Sequence, residues 1–92
     1  MVVIFNDEAL GAEYQKFVSK KMDARSSAIT TPDLGKVAVA LGCRGKQATT
    51  LDEVKAGVEE FMAGDGPMLL DIRVSRNVRS VAYSRLWFGE DV

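Results

Sequence analysis

Asn6 and Asp7 carry the side-chain oxygens that are best placed to bind a ligand. They follow Val2-Val3-Ile4-Phe5, four apolar residues that are β-branched or aromatic. Such a run is typical of a strand that is buried on both faces inside a parallel sheet. A helical pattern begins directly afterwards, so Asn6 and Asp7 are expected at the carboxyl end of this strand. In open α/β sheets, ligands bind at that edge.

Two interpretations of these side chains remain open on the residues alone. In the first, they contribute to a metal–phosphate site. Mg²⁺ takes oxygen ligands, often one or two carboxylates together with phosphate oxygens, and a helix amino terminus attracts anions. In the second, Asn6 or Asp7 caps the following helix and Glu8 complements the helix dipole.

Composition excludes several classes of function. The 92 residues suffice for one small domain, and a hydrophobic fraction of 47% excludes a disordered chain. A net charge of -1 gives no electrostatic reason to bind nucleic acid or an anionic membrane. No apolar run reaches the roughly 20 residues of a membrane span.

The residue types bearing on catalysis and redox state are also few. Without histidine, the chain can form neither a His-based zinc site nor a Ser-His-Asp triad. Cys43 is the only cysteine, so no internal disulfide can form. We interpret it as a small core residue of a protein in a reducing, cytoplasmic setting.

Hydrophobic spacing predicts three helices. The second begins at Thr31, which can cap it, and ends before Gly42. The third follows Thr50, whose spacing from Glu53 matches a capping box. The first runs from Ala9 to Lys21, with a buried stripe formed by Leu10, Tyr14, Phe17 and Val18.

Two further strands complete the predicted sheet. Met68–Val74 is apolar on one face, while Asp71 and Arg73 alternate on the other. The short strand Arg44–Ala48 is polar, and its cations suit a sheet edge. The order strand, helix, helix, strand, helix, strand predicts a three-layer α/β fold, with parallel strands and helices on both faces of the sheet. The two apolar strands should be neighbours, with the polar strand outside.

The first strand is expected to leave one of its sides unpaired, because no strand precedes it in the sequence. An unpaired apolar edge invites another chain. We therefore predict either a homo-oligomer or a partnership with the missing amino-terminal part of a larger protein. Trp87-Phe88 also needs a surface to pack on. These features predict one partial domain over residues 1–92, with its core in 1–75 and a tail in 76–92.

Several short segments, in this order, carry a family resemblance. They are Val2-Val3-Ile4-Phe5-Asn6-Asp7 with Gly11, Thr31-Pro32-Asp33-Leu34 leading to Ala40-Leu41-Gly42, Leu51-Asp52-Glu53-Val54, and Asp65-Gly66-Pro67-Met68-Leu69-Leu70-Asp71-Ile72. The chain resembles the carboxy-terminal end of thiamine-diphosphate-dependent enzymes of the acetolactate synthase, benzoylformate decarboxylase and pyruvate oxidase type. It is similar to the last half of their diphosphate-binding domain.

The resemblance implies a cofactor site for thiamine diphosphate and Mg²⁺. In the family motif, an Asn four residues before a glycine binds Mg²⁺, and counting back from Gly11 that position is Asp7, which keeps an oxygen ligand. The motif also uses the carbonyl two residues on, here that of Ala9, while Asn6 matches the preceding Asn. We read Gly64-Asp65-Gly66 as a helix stop and turn, because it follows this motif instead of preceding it.

The resemblance also implies an enzyme that decarboxylates or condenses 2-oxo acids. The glutamate that activates the cofactor belongs to another domain in that family, so no catalytic residue is assigned in this chain. We therefore expect no turnover by the chain alone. The alternative is an oligomerising or partner-binding module that keeps the fold and has lost the chemistry.

Overall fold

The computed structural model describes all 92 residues, which form two compact units. The sheet unit comprises Met1–Asn6 and Thr31–Val74, and the helical unit comprises Asp7–Thr30 and Ser75–Val92. None of the helices combines the length and apolar content needed to cross a membrane. The single partial domain over 1–92 stays a prediction.

The sheet unit contains three parallel strands in the order β1-β3-β2. They are β1 (Val2–Asn6), β2 (Arg44–Ala48) and β3 (Met68–Arg73). Met68, Leu70 and Asp71 of the central strand are buried. The prediction of parallel strands is confirmed, and so is their order: the two apolar strands are neighbours and the polar strand lies at the edge.

Two helices cover opposite faces of this sheet. They are α2 (Leu34–Ala40) and α3 (Leu51–Ala63). The Leu34 backbone N–H of α2 donates to Asp71 Oδ2 at 3.2 Å, whereas a Cβ added at Gly57 of α3 would lie 2.8 Å from Leu70 Cδ1. Because consecutive strand residues point to opposite faces, the sheet lies between α2 and α3. The three-layer prediction is therefore confirmed.

The backbones of α2 and β2 approach each other closely at two glycines. A Cβ added at Gly35 would lie 2.6 Å from the backbone N and C of Lys46. One added at Gly45 would overlap the carbonyl oxygen of Gly35 and lie 2.9 Å from Ala38 Cβ. Only residues without a side chain allow this approach, which sets the distance between the helix and the sheet.

The start of α2 differs from the prediction. Asp33 is the cap, and its Oδ1 accepts from the Lys36 N–H at 3.1 Å. The prediction of Thr31 as the cap is wrong, because its hydroxyl instead accepts a hydrogen bond from Asn6. Gly42 follows the helix with φ +89°, as expected of a residue beyond a helix end.

The capping box of α3 is present in a shifted form. Thr50 Oγ1 accepts from the Glu53 N–H at 3.2 Å, as predicted. The Glu53 carboxylate returns to the Thr49 N–H at 2.7 Å rather than to Thr50. This backbone hydrogen bond from Thr49 is the main cause that lowers the pKa of Glu53, because it favours the charged carboxylate.

The predicted burial of β1 on both faces is wrong. The exposed fractions are 58% for Val2, 41% for Val3 and 73% for Phe5. The reason is that β1 is an edge strand, paired only with β3, and α3 packs over β2 and β3 without reaching it. The unpaired edge expected from the sequence is therefore present.

The helical unit contains α1 (Gly11–Ser19), a 3-10 turn (Arg25–Ser27) and α4 (Val81–Phe88). Helix α1 is shorter than the predicted Ala9–Lys21, since Ala9 forms a β-bridge with Ala28. Helix α4 was not predicted, and it packs against α1.

The predicted buried stripe of α1 is wrong in part. Leu10 lies outside the helix and Val18 is exposed. The buried residue is Gln15, whose Nε2 donates to the Arg76 carbonyl at 2.6 Å. This hydrogen bond joins residues that are 61 positions apart, so the local pattern could not reveal it.

Candidate metal centre

The candidate site is a tight turn in the helical unit, directly after the last residue of β1. Asp7 Oδ1 accepts a hydrogen bond from the Ala9 N–H at 3.0 Å. Glu8 between them adopts φ +53°, in the left-handed region. Aspartate commonly closes turns of this kind by bonding the backbone two residues on. The turn therefore occupies one oxygen of the Asp7 carboxylate and leaves Oδ2 for another role.

Gly11 makes room for that second oxygen. A Cβ added at Gly11 would lie 2.8 Å from Asp7 Oδ2. Any side chain at this position would therefore press on the carboxylate and turn it away. The absence of a Cβ at Gly11 lets the Asp7 carboxylate lie against the first residue of α1, where the helix amino terminus favours negative charge.

Ala9 is held by the bridge to Ala28, yet its carbonyl stays unused. The flanking hydrogen bonds run from the Leu10 N–H to the Ser27 carbonyl at 2.8 Å and from the Ile29 N–H to the Glu8 carbonyl at 2.7 Å. No residue of the chain donates to the Ala9 carbonyl. Asp7 Oδ2 likewise accepts no hydrogen bond. The turn thus presents two unengaged oxygen acceptors.

These two oxygens fit part of a Mg²⁺ site, and they do not form a complete one. No group of three acidic, cysteine or histidine side chains that could hold a metal occurs in the chain. Mg²⁺ is commonly bound through one or two carboxylates, with phosphate oxygens and water completing its shell. The donor set at this turn therefore suits a metal bound together with a phosphate group, and does not suit a metal bound by protein alone.

Asn6 performs a separate role in the sheet unit. Its side chain is buried, with an exposed fraction of 7%, and its Nδ2 donates to Thr31 Oγ1 at 2.9 Å. Arg73, its partner in register on β3, donates from Nη2 to the Pro32 carbonyl at 3.0 Å. Both side chains therefore hold the segment that leads into α2.

The burial of Asp71, on the central strand of the sheet, was not predicted from the sequence. Asp71 has an exposed fraction of 0%. Its Oδ2 accepts from the Leu34 N–H and lies 3.5 Å from Arg73 Nε. With its amide oxygen facing Arg73, Gln47 accepts from Nε and Nη2 at 3.1 Å. The available signal was an aspartate within the apolar run of a central strand, where a charge must be paired.

The segment Gly64-Asp65-Gly66 is the turn that we expected. It joins α3 to β3, and Gly66 has φ +87°. Arg44 fastens it through hydrogen bonds from Nη1 to the Glu60 carbonyl at 3.0 Å and from Nη2 to the Gly66 carbonyl at 2.8 Å.

Comparison with known proteins identifies the family of the domain that contains the turn at Asp7. The model of the family described as thiamine pyrophosphate enzyme, C-terminal TPP binding domain, matches residues 1–72. This chain belongs to that family. The match confirms the resemblance inferred from the sequence, and it includes the turn at Asp7 while ending before α4. Thiamine diphosphate is thus the cofactor of the family to which the chain belongs.

A curated relative supports the same assignment. The chain is 36% identical over 76 residues to the Mycobacterium tuberculosis (strain ATCC 25618 / H37Rv) protein named "Putative acetolactate synthase large subunit IlvB2". The matched segment is 82% of this chain and 14% of that protein. No solved structure matches the chain. The thiamine pyrophosphate enzyme domain described here thus corresponds to a small share of its relative's length.

Proposed function

We propose that these residues form the carboxy-terminal part of a thiamine-diphosphate- and Mg²⁺-dependent enzyme that decarboxylates or condenses 2-oxo acids. The observation that carries the proposal is the turn in which Gly11 leaves Asp7 Oδ2 and the Ala9 carbonyl unengaged. The name of the curated relative favours the acetolactate synthase reaction class.

In this proposal, each residue of the turn has a stated task. Asp7 and the Ala9 carbonyl hold Mg²⁺, Gly11 keeps the Asp7 carboxylate in place, and Asn6 shapes the entry to the turn. When bound, the cofactor supplies the stabilisation of a carbanion. The chain's own residues bind and orient it, and none of them is assigned a proton transfer.

The proposed site takes its remaining ligands from polypeptide outside these 92 residues. Two protein oxygens leave most of a Mg²⁺ shell to be filled, and no residue here matches the activating glutamate of the family. We therefore expect no turnover and weak cofactor affinity for the chain alone. A cytoplasmic location is part of the proposal, since the single thiol of Cys43 is free.

Asp7→Ala is expected to abolish local binding of Mn²⁺ used as a paramagnetic substitute for Mg²⁺. In the unaltered chain, Mn²⁺ with thiamine diphosphate should broaden the amide NMR signals of residues 7–11 selectively. Removal of the carboxylate eliminates the charged ligand, so this broadening should disappear. Titration calorimetry with thiamine diphosphate and Mg²⁺ should detect no micromolar binding.

Asp65→Ala is the matched control, because Asp65 is an acidic residue beside two glycines in a turn that we assign no metal. This variant should retain the broadening at residues 7–11. Broadening that centres on Asp65, or that survives in Asp7→Ala, would contradict the assignment of Asp7 as the metal ligand. Micromolar cofactor affinity would contradict the incompleteness of the site.

A second candidate function is assembly, and the open edge of β1 favours it. Phe5 and Val3 are exposed on the face of the sheet that carries α3. On the other face, a groove of about 210 Å³ lies between β1 and α2, and its lining includes Val2, Ile4 and Val37 with no polar surface. An apolar edge next to an apolar groove is typical of a surface that another chain covers.

If this edge pairs two copies, Phe5→Lys should shift the chain from dimer to monomer. Lysine at an edge position opposes strand pairing through its charge. Light scattering across a concentration series provides the measurement. Val39→Lys, which replaces an exposed valine of α2 outside the groove, should leave the dimer intact. An unaltered chain that remains monomeric at high concentration would refute the assembly function.

A further inference from the structure

The turn at Asp7 is braced by a second segment of the helical unit. Ala9 forms an antiparallel β-bridge with Ala28, which directly follows the 3-10 turn. The hydrogen bonds of this bridge join the neighbours of the pair and not the pair itself. In antiparallel strands, residues paired in this way direct their own N–H and carbonyl groups away from the partner. The bridge therefore aims the Ala9 carbonyl away from Ala28.

The bridge also brings the two unengaged oxygens to the same side of the chain. An extended residue directs its N–H and its carbonyl to one side, since a hydrogen-bonded pair of strand residues exchanges both groups with a single partner. The Ala9 N–H donates to Asp7 Oδ1 at 3.0 Å, so the Asp7 carboxylate lies on the side that this N–H faces. The Ala9 carbonyl faces that side as well. One cation can therefore contact Asp7 Oδ2 and the Ala9 carbonyl together.

Ser27 closes the 3-10 turn that supports this bridge. It is buried, with an exposed fraction of 2%. Its hydroxyl donates to the Ala24 carbonyl at 2.6 Å, and its N–H donates to the same carbonyl at 3.1 Å. The Ser27 carbonyl in turn accepts from the Leu10 N–H at 2.8 Å. The buried hydroxyl is therefore connected to the turn at Asp7 through a single hydrogen bond of the bridge.

We propose that Ser27 is a positioning residue for the metal ligands. Its hydroxyl closes the 3-10 turn, the turn presents the Ser27 carbonyl to Leu10, and the resulting bridge keeps the Ala9 carbonyl beside the Asp7 carboxylate. This role rests on the proposed metal site. It adds to that site a buried residue that touches neither the metal nor the cofactor and acts through the backbone of the ligands.

Ser27→Ala should raise by about tenfold the Mn²⁺ concentration that half-broadens the amide NMR signals of residues 7–11 in the presence of thiamine diphosphate. About tenfold is the low end of the usual effect of residues that orient metal ligands. Ser26→Ala is the matched control, because it removes a hydroxyl from the neighbouring exposed position of the same turn. It should require the same Mn²⁺ concentration as the unaltered chain.

Leu10→Pro tests the bridge itself, since proline has no N–H to donate to the Ser27 carbonyl. Leu10 has φ −79°, which the proline ring accepts, so this residue need not change its own conformation. The variant should weaken Mn²⁺ binding at least as much as Ser27→Ala does. Leu10→Ala loses the side chain and keeps the N–H, and it should bind Mn²⁺ as the unaltered chain does.

Hydrogen exchange without metal separates the bridge from the metal site. The Ile29 N–H, which donates to the Glu8 carbonyl, should exchange faster in Ser27→Ala and in Leu10→Pro, while the amides of α3 keep their protection. Unchanged exchange at Ile29 in both variants would overturn the role of Ser27. Faster exchange with an unchanged Mn²⁺ requirement would also overturn it and leave the metal site standing. Absence of broadening in the unaltered chain would overturn the metal site and this role with it.

Discussion

Gly45→Ala is expected to lower the free energy of unfolding by about 3 kcal/mol, at the upper end of the usual cost of overpacking. The added methyl group would meet the backbone of Gly35 and Ala38 Cβ. Neither can move without shifting α2 as a whole. Because α2 also supplies the Leu34 N–H that Asp71 binds, the shift would disturb the centre of the sheet as well.

Urea denaturation followed by circular dichroism measures this loss. In thermal denaturation, the melting temperature of a chain of this length should fall by about 12 °C or more. Gly57→Ala is the control, since its methyl group would meet the end of the Leu70 side chain and not, as at Gly45, a backbone carbonyl. Alanine also favours the interior of α3 by about 1 kcal/mol over glycine. An equal decrease in the free energy of unfolding of Gly45→Ala and Gly57→Ala would show that the contact between α2 and β2 is not tight.

Asp71→Ala is expected to cost about 3 kcal/mol, the low end of the range for breaking a buried ion pair. The substitution removes the acceptor of the Leu34 N–H and the carboxylate beside Arg73 Nε. The side chain of Arg73 is only 19% exposed, so solvent can compensate its charge only in part. Asp71→Asn keeps an acceptor oxygen and loses the charge. Its free energy of unfolding should lie between those of the unaltered chain and Asp71→Ala.

The same denaturation experiment measures this effect, with Glu59→Ala as the control at an exposed acidic position of α3. That control should stay within about 0.5 kcal/mol of the unaltered chain. If Asp71→Ala were equally mild, the carboxylate would be dispensable for the sheet. Hydrogen exchange at Leu34 provides a second measure, because its N–H should lose protection in Asp71→Ala.

The sheet was predictable because its signals are local. The apolar runs of β1 and β3, the cations of β2 and the turn at Gly66 each lie within a few consecutive residues. The burial of individual side chains was harder to predict, since it depends on which distant segments of the chain pack over them. Phe5 is apolar and yet exposed because no helix covers β1, whereas Gln15 is polar and yet buried because a carbonyl of a distant segment meets it.

In the candidate site, too, local spacing was predictable from the sequence and contacts between distant residues were not. Asp7, Ala9 and Gly11 lie within five positions, so spacing alone indicated which atoms could lie together. The hydrogen bond of Asn6 reaches Thr31, 25 positions away, and no local pattern indicates it. The pairing of Asp71 with Arg73 was hidden for a different reason: alternation along a strand predicts which face a residue occupies, but does not predict whether a helix covers that face.

The two edge strands of the sheet differ in charge, and this difference limits how many copies of the chain could assemble through the sheet. The edge strand β2 contains two cationic residues, Arg44 and Lys46, and charged residues on an edge strand discourage a further strand, whereas β1 contains none. A molecule in which only one edge strand can pair binds a single neighbour through that strand. The neighbour then exposes only its β2 edge, which does not pair. If two copies pair through β1, the assembly should therefore stop at a dimer, and fibrous polymerisation by sheet extension is not expected even at high protein concentration.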